Sequence, residues 1–294
     1  MTGRLIGIDW GTSSFRAWLM GPGGTVLDEI GTARGILSVP QGGFDVVMEQ
    51  ALAPWPKRLA VIASGMVTSR NGWVETPYLP LPLDAAALAG ALVPHRAASG
   101  RAVHFVTGAL GNAGGLPDVM RGEETEIIGH MAAGGGDGLF VLPGTHSKWA
   151  RAEAGRLTSF RTCMTGEGFA LLRHQSILGR LAEPGPFDPA AFARGLAAGR
   201  AAGPLLVRAF SVRALALTGQ LAPAQIADYL SGLLIGDEVA GMVPTGPVTL
   251  IGRGDLTARY RIALEAAGTE ARIAAPGMAR LGLWDIATRA GITG

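Results

Sequence analysis

The sequence predicts an α/β protein made of two related halves, because the same order of short strands and turns occurs twice along the chain. In each half, three β-rich segments are separated by Gly-containing turns, which is typical of a three-stranded meander. The segments are 5–9, 15–20 and 25–30 in the first half, and 139–142, 148–152 and 157–163 in the second. We therefore expect two α/β domains, residues 1–134 and 135–294, each with a mixed sheet that begins in a meander and is flanked by helices.

Helical and strand patterns alternate after each meander, which is what an α/β fold requires. Helices are predicted over 44–52, 85–92, 124–133, 167–181, 188–201, 204–218, 223–242, 256–267 and 278–290. Further strands are predicted over 59–63, 103–106, 248–251 and 271–274, with a loop at 77–82. The order of elements, rather than similar residues, relates the two halves.

The composition is that of a globular enzyme-sized protein and argues against several other classes. Hydrophobic residues make up 48% of the chain and charged residues 16%, and the net charge is only +2 without a block of like charges. Nucleic-acid binding is therefore disfavoured. Cys163 is the only cysteine, so no internal disulfide is possible. Because no apolar stretch is long enough to span a bilayer and no leader-like segment precedes strand 5–9, we expect a cytoplasmic protein.

A Gly-Thr turn preceded by an acidic residue lies between the first two predicted strands. The first strand ends at Asp9, and Gly11, Thr12 and Ser13 follow. Glycine lets the backbone approach a bulky anion, and the neighbouring hydroxyl and amide groups can donate to phosphate oxygens. Asp9 is a candidate Mg²⁺ ligand, because this ion prefers one or two carboxylates together with substrate phosphates. An ordinary Asp-Gly hairpin is the other interpretation.

A second Gly-Thr turn occupies the corresponding place in the second half. Here an apolar strand leads into Gly144, Thr145, Ser147 and Lys148. We expect the first three to bind the β- and γ-phosphates of a nucleotide, whereas Lys148 either adds positive charge or lies in solvent. A Walker loop has another spacing and is followed by a helix, so a P-loop fold is disfavoured.

A glycine-rich turn at the end of strand 248–251 is a candidate adenosine site. Gly252 and Gly254 leave room for a flat ring beside the start of the following helix. The histidines and the one cysteine show no metal-ligand spacing, so a zinc site is disfavoured. Ser64 and Gly65 lack the frame of a nucleophile elbow, which argues against a hydrolase.

Several long and unusual motifs lie at 6–19, 63–73, 117–126, 142–149, 163–172 and 229–238. They resemble those of the 2-dehydro-3-deoxygalactonokinases, sugar-acid kinases of the acetate-kinase/actin/Hsp70/hexokinase superfamily. The resemblance implies two ribonuclease-H-like, actin-like ATPase domains around an interdomain cleft. It implies ATP and Mg²⁺ as cofactors and 2-dehydro-3-deoxy-D-galactonate as the substrate, phosphorylated on its terminal 6-hydroxyl. Arg253 stands where the resemblance leads us to expect a small residue.

The acidic segment 117–126 is the candidate source of a general base. Phosphoryl transfer needs a carboxylate that orients the attacking hydroxyl and accepts its proton. Asp118 is the first candidate, because hexokinase-like folds have an Asp before the corresponding helix, and Glu123 and Glu124 are the alternatives. Acids in the first turn also stabilise a helix without any catalytic role.

A sugar acid carries a carboxylate, so its pocket is expected to contain an Arg that can bind it with two hydrogen bonds. Arg70 is the first candidate and Arg121 the second, and Trp73 either packs on the carbon chain of the substrate or belongs to the core. The remaining candidate substrate-binding residues are Ser64, Gly65, Met66 and Glu167.

Two other functions remain open at this point. One is a kinase for a different sugar or sugar acid, and the other is a nucleotide-dependent, non-catalytic binding protein of the same fold. The expected partners are the sugar acid and ATP, with no nucleic acid and no membrane. A homodimer is compatible with the sequence.

Overall fold

A computed structural model describes residues 4–293 and has the α/β organisation that the sequence predicts. The strands are β1 (Leu5–Trp10), β2 (Phe15–Met20), β3 (Val26–Thr32), β4 (Val61–Ser64), β5 (Tyr78–Pro80), β6 (Val93–Arg96), β7 (Ala102–Phe105), β8 (Gly108–Ala113), β9 (Leu116–Met120), β10 (Gly138–Leu142), β11 (Ser147–Glu153), β12 (Arg156–Cys163), β13 (Val248–Leu250) and β14 (Ala271–Ile273). The helices are α1 (Phe44–Ala51), α2 (Ala85–Gly90), α3 (Glu123–Ala132), α4 (Thr165–Gln175), α5 (Pro189–Arg200), α6 (Leu205–Ala209), α7 (Ser211–Leu217), α8 (Ile226–Met242), α9 (Gly254–Ala266) and α10 (Met278–Arg289).

The first sheet is mixed and has the strand order β3-β2-β1-β4-β7-β6. Strands β1, β2 and β3 form the predicted antiparallel meander, and β4 then adds to β1 in parallel. In the β1–β4 register Asp9 lies opposite Ser64, so the carboxyl ends of the two strands meet at one edge. Most side chains of β1 are buried on both faces, which is typical of a strand next to a parallel neighbour inside an α/β sheet.

The second sheet repeats this order of elements. Its strand order is β12-β11-β10-β13-β14, in which β13 pairs with β10 and β14 with β13, both in parallel. In both sheets the first strand of a meander therefore has a later, parallel strand on its other side. The predicted mixed sheets that begin in a meander are confirmed.

A small third sheet was not predicted. Strands β5, β8 and β9 form it, and β5 lies within the segment 77–82 that the sequence predicts as a loop. The glycines in β8 hide its strand pattern, but Gly111 has a packing reason. A Cβ at Gly111 would lie 2.8 Å from the ring of Phe160, so only glycine lets that ring lie against β8.

Two helix predictions were wrong in detail. The segment 204–218 forms two short helices, α6 and α7, rather than one. The segment 167–181 is helical only to Gln175, because Ser176 has an extended backbone, with φ −121° and ψ 170°, and its hydroxyl accepts the N–H of Leu178 at the start of a 3-10 turn.

The chain forms two compact units. Of the described residues, the first contains 4–137, 150–161 and 275–293, and the second contains 138–149 and 162–274. The division into domains 1–134 and 135–294 stays a prediction. So does the assignment of the sugar acid and the first phosphate turn to the first domain, and of the second phosphate turn and the adenosine to the second. Within residues 4–293, no helix combines the length and apolar character needed to cross a membrane.

The core of the first unit is rich in aromatic side chains. Trp10, Phe15 and Phe44 pack edge to face with ring centroids 4.9 and 5.4 Å apart. Helix α10, from the end of the chain, packs on α3 with unusually close backbones. A Cβ at Gly129 would lie 1.9 Å from the carbonyl oxygen of Met278.

The second unit contains a helix pair that is equally close. A Cβ at Gly232 of α8 would lie 2.2 Å from the carbonyl oxygen of Phe192 in α5, and one at Gly195 of α5 would lie 2.1 Å from that of Tyr229. The two helices therefore touch backbone to backbone, and neither can move without disturbing the other.

Candidate functional site

The first Gly-Thr turn is held by backbone hydrogen bonds while its polar side chains remain exposed. Gly11 N–H donates to the carbonyl of Ser14 at 2.9 Å, and Ile36 N–H donates to the carbonyl of Gly11 at 3.0 Å. Thr12 and Ser13 are exposed. The turn thus keeps a fixed shape and presents the donor groups that a phosphate needs.

Asp9 lies at the end of β1 and forms an ion pair that the sequence analysis missed. Its Oδ2 accepts from Nη2 of Arg16 at 2.6 Å and from Nε at 3.2 Å. Burial raises the pKa of the Asp9 carboxyl, Arg16 opposes that rise, and the negative charge of Glu123 adds to it. Because Arg16 is the direct cross-strand partner of Asp9 in β2, the hairpin pattern could have revealed it.

Two glycines with positive φ bring β4 and α3 close to Asp9. Gly65 has φ 93°, and a Cβ there would lie 2.9 Å from the carbonyl oxygen of Trp10 and 3.1 Å from Oδ1 of Asp9. Gly122 has φ 112°, and its Cβ would lie 3.2 Å from Cα of Gly65. The end of β1, the end of β4 and the start of α3 therefore meet at one place in the first unit.

The acids at the start of α3 have different surroundings. Glu124 is 1% exposed, and its carboxyl accepts the N–H of Gly122 at 2.8 and 2.9 Å. Burial, followed by the charge of Glu123, raises the pKa of Glu124 to about 7. Burial, followed by the charge of Asp9, raises the pKa of Glu126 to about 8. Glu126 lies within a quoted motif, but its spacing alone did not single it out.

Glu123 and Asp118 are placed differently. Oε2 of Glu123 accepts the backbone N–H of Arg121 at 3.0 Å, and Glu123 is among the charges that raise the pKa of Asp9. Asp118 lies inside β9, opposite Gly111 in the third sheet, and not directly before α3. The structure therefore brings Glu123 toward Asp9 and leaves Asp118 in a strand.

Arg121 is buried and holds the loop that follows β4. Its Nη1 donates to Oγ1 of Thr68 at 2.8 Å and to Oγ1 of Thr76 at 2.5 Å, its Nη2 donates to the carbonyl of Thr76, and its guanidinium lies 4.2 Å from the ring centre of Tyr78. Arg70 is exposed in the same loop.

The other candidate substrate residues of the first unit lie beside that loop. Ser64 is 1% exposed and its hydroxyl has no hydrogen-bond partner, which is unusual for a buried polar atom. Met66 and Trp73 pack against the aromatic core, and the Trp73 ring lies 5.4 Å from that of Phe105. Trp73 therefore contributes to the core.

The second Gly-Thr turn contacts the start of α4. Glu167 N–H donates to the carbonyl of Thr145 at 2.9 Å, and a Cβ at Gly166 would lie 2.2 Å from the carbonyl oxygen of Gly144. The side chain of Glu167 lies 2.5 Å from Nε2 of His146. The turn and the first turn of α4 thus form one packed structure within the second unit.

Ser147 and Lys148, at the end of this turn, have buried side chains. The Ser147 hydroxyl donates to Oε1 of Glu238 at 2.6 Å. Lys148 is 4% exposed, and its ammonium donates to the carbonyl of His146 at 3.1 Å. The alternative in which Lys148 lies in solvent was wrong, because the strand faces the interior at this position.

The glycine-rich turn after β13 lies beside the second Gly-Thr turn. A Cβ at Gly252, which has φ 141°, would lie 3.6 Å from the carbonyl oxygen of Pro143. Gly254 begins α9, and no atom lies within 4 Å of where its Cβ would be. The guanidinium of Arg253 forms an ion pair with the carboxylate of Asp255, with Nη2 and Oδ2 2.8 Å apart. This ion pair holds the long side chain of Arg253 beside the glycine-rich turn.

A magnesium ion bound together with phosphates fits this donor set. Across the part of the chain that the structure describes, no three His, Cys, Asp or Glu side chains are grouped to hold a metal by themselves. Mg²⁺ needs only one or two carboxylates when phosphates and water complete its shell. Asp9 meets that requirement, since it carries a carboxyl group and lies near the end of β1, immediately before the first Gly-Thr turn.

A family model described as 2-keto-3-deoxy-galactonokinase matches residues 9–286. The chain belongs to this family. The match includes both Gly-Thr turns and the acidic segment, so the family prediction made from the motifs is confirmed.

Curated members of the family match along nearly the whole chain. A probable 2-dehydro-3-deoxygalactonokinase, DgoK1, from Rhizobium meliloti (strain 1021) is 38% identical over 283 residues, covering 92% of each chain. The 2-dehydro-3-deoxygalactonokinase of Escherichia coli (strain K12) is 35% identical over 275 residues, also covering 92% of each chain.

A solved structure of the same family has the same fold. It comes from Sinorhizobium meliloti, and its proposed activity is that of a 2-dehydro-3-deoxygalactonokinase. It is 37% identical, covers 96% of this chain and 98% of its own, and superposes with a TM-score of 0.87. This relative therefore shares the α/β organisation described above.

Proposed function

We propose that this protein transfers the γ-phosphoryl group of ATP to the terminal 6-hydroxyl of 2-dehydro-3-deoxy-D-galactonate, a step of galactonate breakdown. The observation that carries the proposal is membership of the galactonokinase family over residues 9–286, with two curated kinases covering 92% of the chain. The first Gly-Thr turn, which follows Asp9 and is held by backbone hydrogen bonds, also supports it. Phosphoryl transfer depends mainly on the positioning of the reacting groups and on the stabilisation of their charge.

In this proposal both Gly-Thr turns bind the triphosphate. Gly11, Thr12 and Ser13 contribute amide and hydroxyl donors, and the backbone of Gly144 and Thr145 does the same from the second unit. Asp9 holds Mg²⁺, which neutralises phosphate charge when bound. The pairing of Asp9 with Arg16 opposes the rise in pKa that burial causes and so favours the charged carboxylate that Mg²⁺ requires.

The two turns are proposed to belong to two ribonuclease-H-like domains of the actin-like ATPase type. The repeated order of a meander followed by a parallel strand supports this assignment. Ser147 and Lys148 support the second turn from inside, and Gly252 and Gly254 receive the adenosine beside it.

We assign the role of general base to Glu123. A base must touch the acceptor hydroxyl, and Glu124 is too deeply buried and too fully hydrogen-bonded to do so. Glu123 lies at the start of α3, where its negative charge contributes to the raised pKa of Asp9. Asp118, inside β9, is the alternative.

We assign the recognition of the substrate carboxylate to Arg70. Its side chain is exposed in the loop after β4, whereas Arg121 is committed to Thr68 and Thr76. Arg121 then acts indirectly by fixing the loop that carries Arg70. Ser64, with its unpartnered hydroxyl, and the backbone at Gly65 lie at the base of the same loop.

The proposal is tested by measuring ADP release with purified protein, MgATP and a set of acceptors. We expect turnover with 2-dehydro-3-deoxy-D-galactonate and at least about ten-fold lower kcat/KM with neutral sugars, because a pocket that binds a carboxylate leaves an Arg unpaired when that group is missing. ADP release that does not depend on the acceptor, or a neutral sugar as the best substrate, would contradict the proposal. Omitting Mg²⁺ is the matched control.

A further inference from the structure

Glu238 is a buried carboxylate that accepts four side-chain hydrogen bonds. It lies in α8 and is 6% exposed. Oε1 accepts the hydroxyl of Ser147 and the indole N–H of Trp149, both at 2.6 Å. Oε2 accepts the hydroxyl of Tyr260 at 2.7 Å and that of Thr165. All the acceptor positions of one carboxylate are thus used, and the sequence analysis did not single this residue out.

The four donors come from the elements that surround the second Gly-Thr turn. Ser147 and Trp149 begin β11, directly after that turn. Thr165 begins α4, and the next two residues of α4 contact Gly144 and Thr145. Tyr260 lies in α9, whose first residue is Gly254 of the proposed adenosine turn. Glu238 is therefore the shared attachment point of three elements.

This position needs a side chain that accepts hydrogen bonds. The indole N–H of Trp149 can only donate, whereas the hydroxyls can donate or accept. A buried donor that loses its acceptor is costly, so the loss of Glu238 would affect all three elements together. Asp228, earlier in α8, is a useful contrast. It is also buried and also binds α9, but through an ion pair with Arg259 at 2.8 Å.

We propose that Glu238 is a positioning residue for nucleotide binding, which holds the second Gly-Thr turn, the start of α4 and helix α9 in their binding arrangement. The inference rests on the proposed function only in that ATP is the ligand. Its effect is expected on the nucleotide and not on the sugar acid, because Glu123 and Arg70, to which the proposed function assigns the acceptor, lie in the first unit.

The test compares Glu238→Ala, Glu238→Gln and Asp228→Asn in the full chain. ATP affinity is measured by calorimetry, and KM for ATP, KM for the sugar acid and the unfolding midpoint are measured beside it. We expect Glu238→Ala to weaken ATP binding by about ten-fold or more, which corresponds to about 1.4 kcal/mol, with KM for the sugar acid within about two-fold.

Glu238→Gln is expected to restore most of the affinity. Its amide oxygen can serve Ser147 and Trp149 while its NH₂ group donates to the hydroxyls of Thr165 and Tyr260, which then act as acceptors. Asp228→Asn should lower the unfolding midpoint but leave ATP affinity unchanged. If Glu238→Ala does not fold, the double variant Thr165→Val, Tyr260→Phe removes both donors to Oε2 and should weaken ATP binding by about five-fold.

Two results would overturn the inference. One is unchanged ATP affinity in Glu238→Ala, or in the double variant if that is the one that folds. The other is an equal loss of ATP affinity in Asp228→Asn, which would mean that any weakening of α8 has this effect. A wild-type protein that binds ATP but does not phosphorylate the sugar acid would contradict the proposed function and leave this comparison intact.

Discussion

Three carboxyl groups within four residues, Glu123, Glu124 and Glu126, have different chemical properties because their surroundings differ. Glu124 is fully buried and accepts the N–H of Gly122, whereas Glu126 is half-buried and lies near enough to Asp9 for that charge to raise its pKa. Glu123 accepts one backbone N–H and adds to the charge around Asp9. Their positions in the helix alone do not separate these roles, because all three also suit the start of a helix.

Replacing Glu123 by Gln tests the assignment of the base. Gln keeps an oxygen that can accept the Arg121 N–H, so the fold should survive. We expect kcat to fall by roughly 10²–10⁴-fold with little change in KM for ATP, which is the usual contribution of a general base. Asp118→Asn is the comparison and should lower kcat by less than about ten-fold. A larger loss of kcat in Asp118→Asn than in Glu123→Gln would assign the role of general base to Asp118.

Replacing Glu126 by Gln tests the raised pKa of that residue. The Glu126 pKa is about 8 in the folded protein against 4.5 as its reference value, so between pH 5 and pH 8 the folded state keeps a proton that the unfolded state has lost. The stability contributed by this group is therefore present at low pH and lost as pH rises. Gln does not titrate, so Glu126→Gln should gain stability relative to wild type as pH increases.

The measurement is the unfolding midpoint of both proteins at pH 5 and pH 8. The unfolding midpoint of Glu126→Gln, relative to that of the wild type, should be higher at pH 8 than at pH 5. Glu75, which is exposed in the same unit, provides the control, because Glu75→Gln makes the same chemical change at a solvent-exposed position, and the pH-dependent gain of Glu126→Gln should exceed it. A difference that is independent of pH for Glu126→Gln would contradict the raised pKa.

At the scale of elements, close helix contacts make the second unit intolerant of very small changes. Helices α5 and α8 touch through Gly195 and Gly232, each of which lies against a backbone carbonyl of the other helix. Such contacts cannot be relieved by a side-chain rotation, so the helices would have to separate. The same helix α8 carries Glu238, which ties this packing to the proposed nucleotide site.

The substitution Gly232→Ala should therefore destabilise the protein by about 3 kcal/mol or more, at the upper end of the range for overpacked cores. Gly241→Ala in the same helix is the control. It is exposed, with nothing within 4 Å of its Cβ position, so it should be neutral or stabilise by up to about 1 kcal/mol through helix propensity. Denaturant unfolding of both variants gives the comparison, and equal effects would refute the packing argument.

A strand could be predicted where a contiguous sequence pattern specifies it, and was missed where distant residues do. The meander strands are short β-rich segments separated by Gly-containing turns, and they were identified correctly. Strands β8 and β9 were missed because β8 contains glycines and its pairing partners include β5, about thirty residues earlier in the chain. The reason for Gly111 in β8 is the ring of Phe160, which no local pattern contains.

At the scale of the whole molecule, the fold class and the family could be predicted, but the supporting contacts of the site could not. Both Gly-Thr turns are contiguous motifs, so they are visible in the sequence. The partners of Glu238 lie 22 to 91 residues away, and those of Arg121 lie 45 to 53 residues away. Without an alignment, long-range partners of this kind leave no trace in one sequence.

The place of α10 in the first unit has a consequence for the cost of assembling that unit. This helix lies far along the chain from its partners, since its Gly282 lies against the carbonyl of Thr125 in α3, and Arg280 donates to the carbonyl of Gly24, 256 residues away. Contacts between such distant residues close long loops, so the entropy of loop closure has to be overcome before they stabilise the fold. Glu123 and Glu124, in the first turn of α3, are therefore expected to reach their finished surroundings late in folding, once these distant segments have come together.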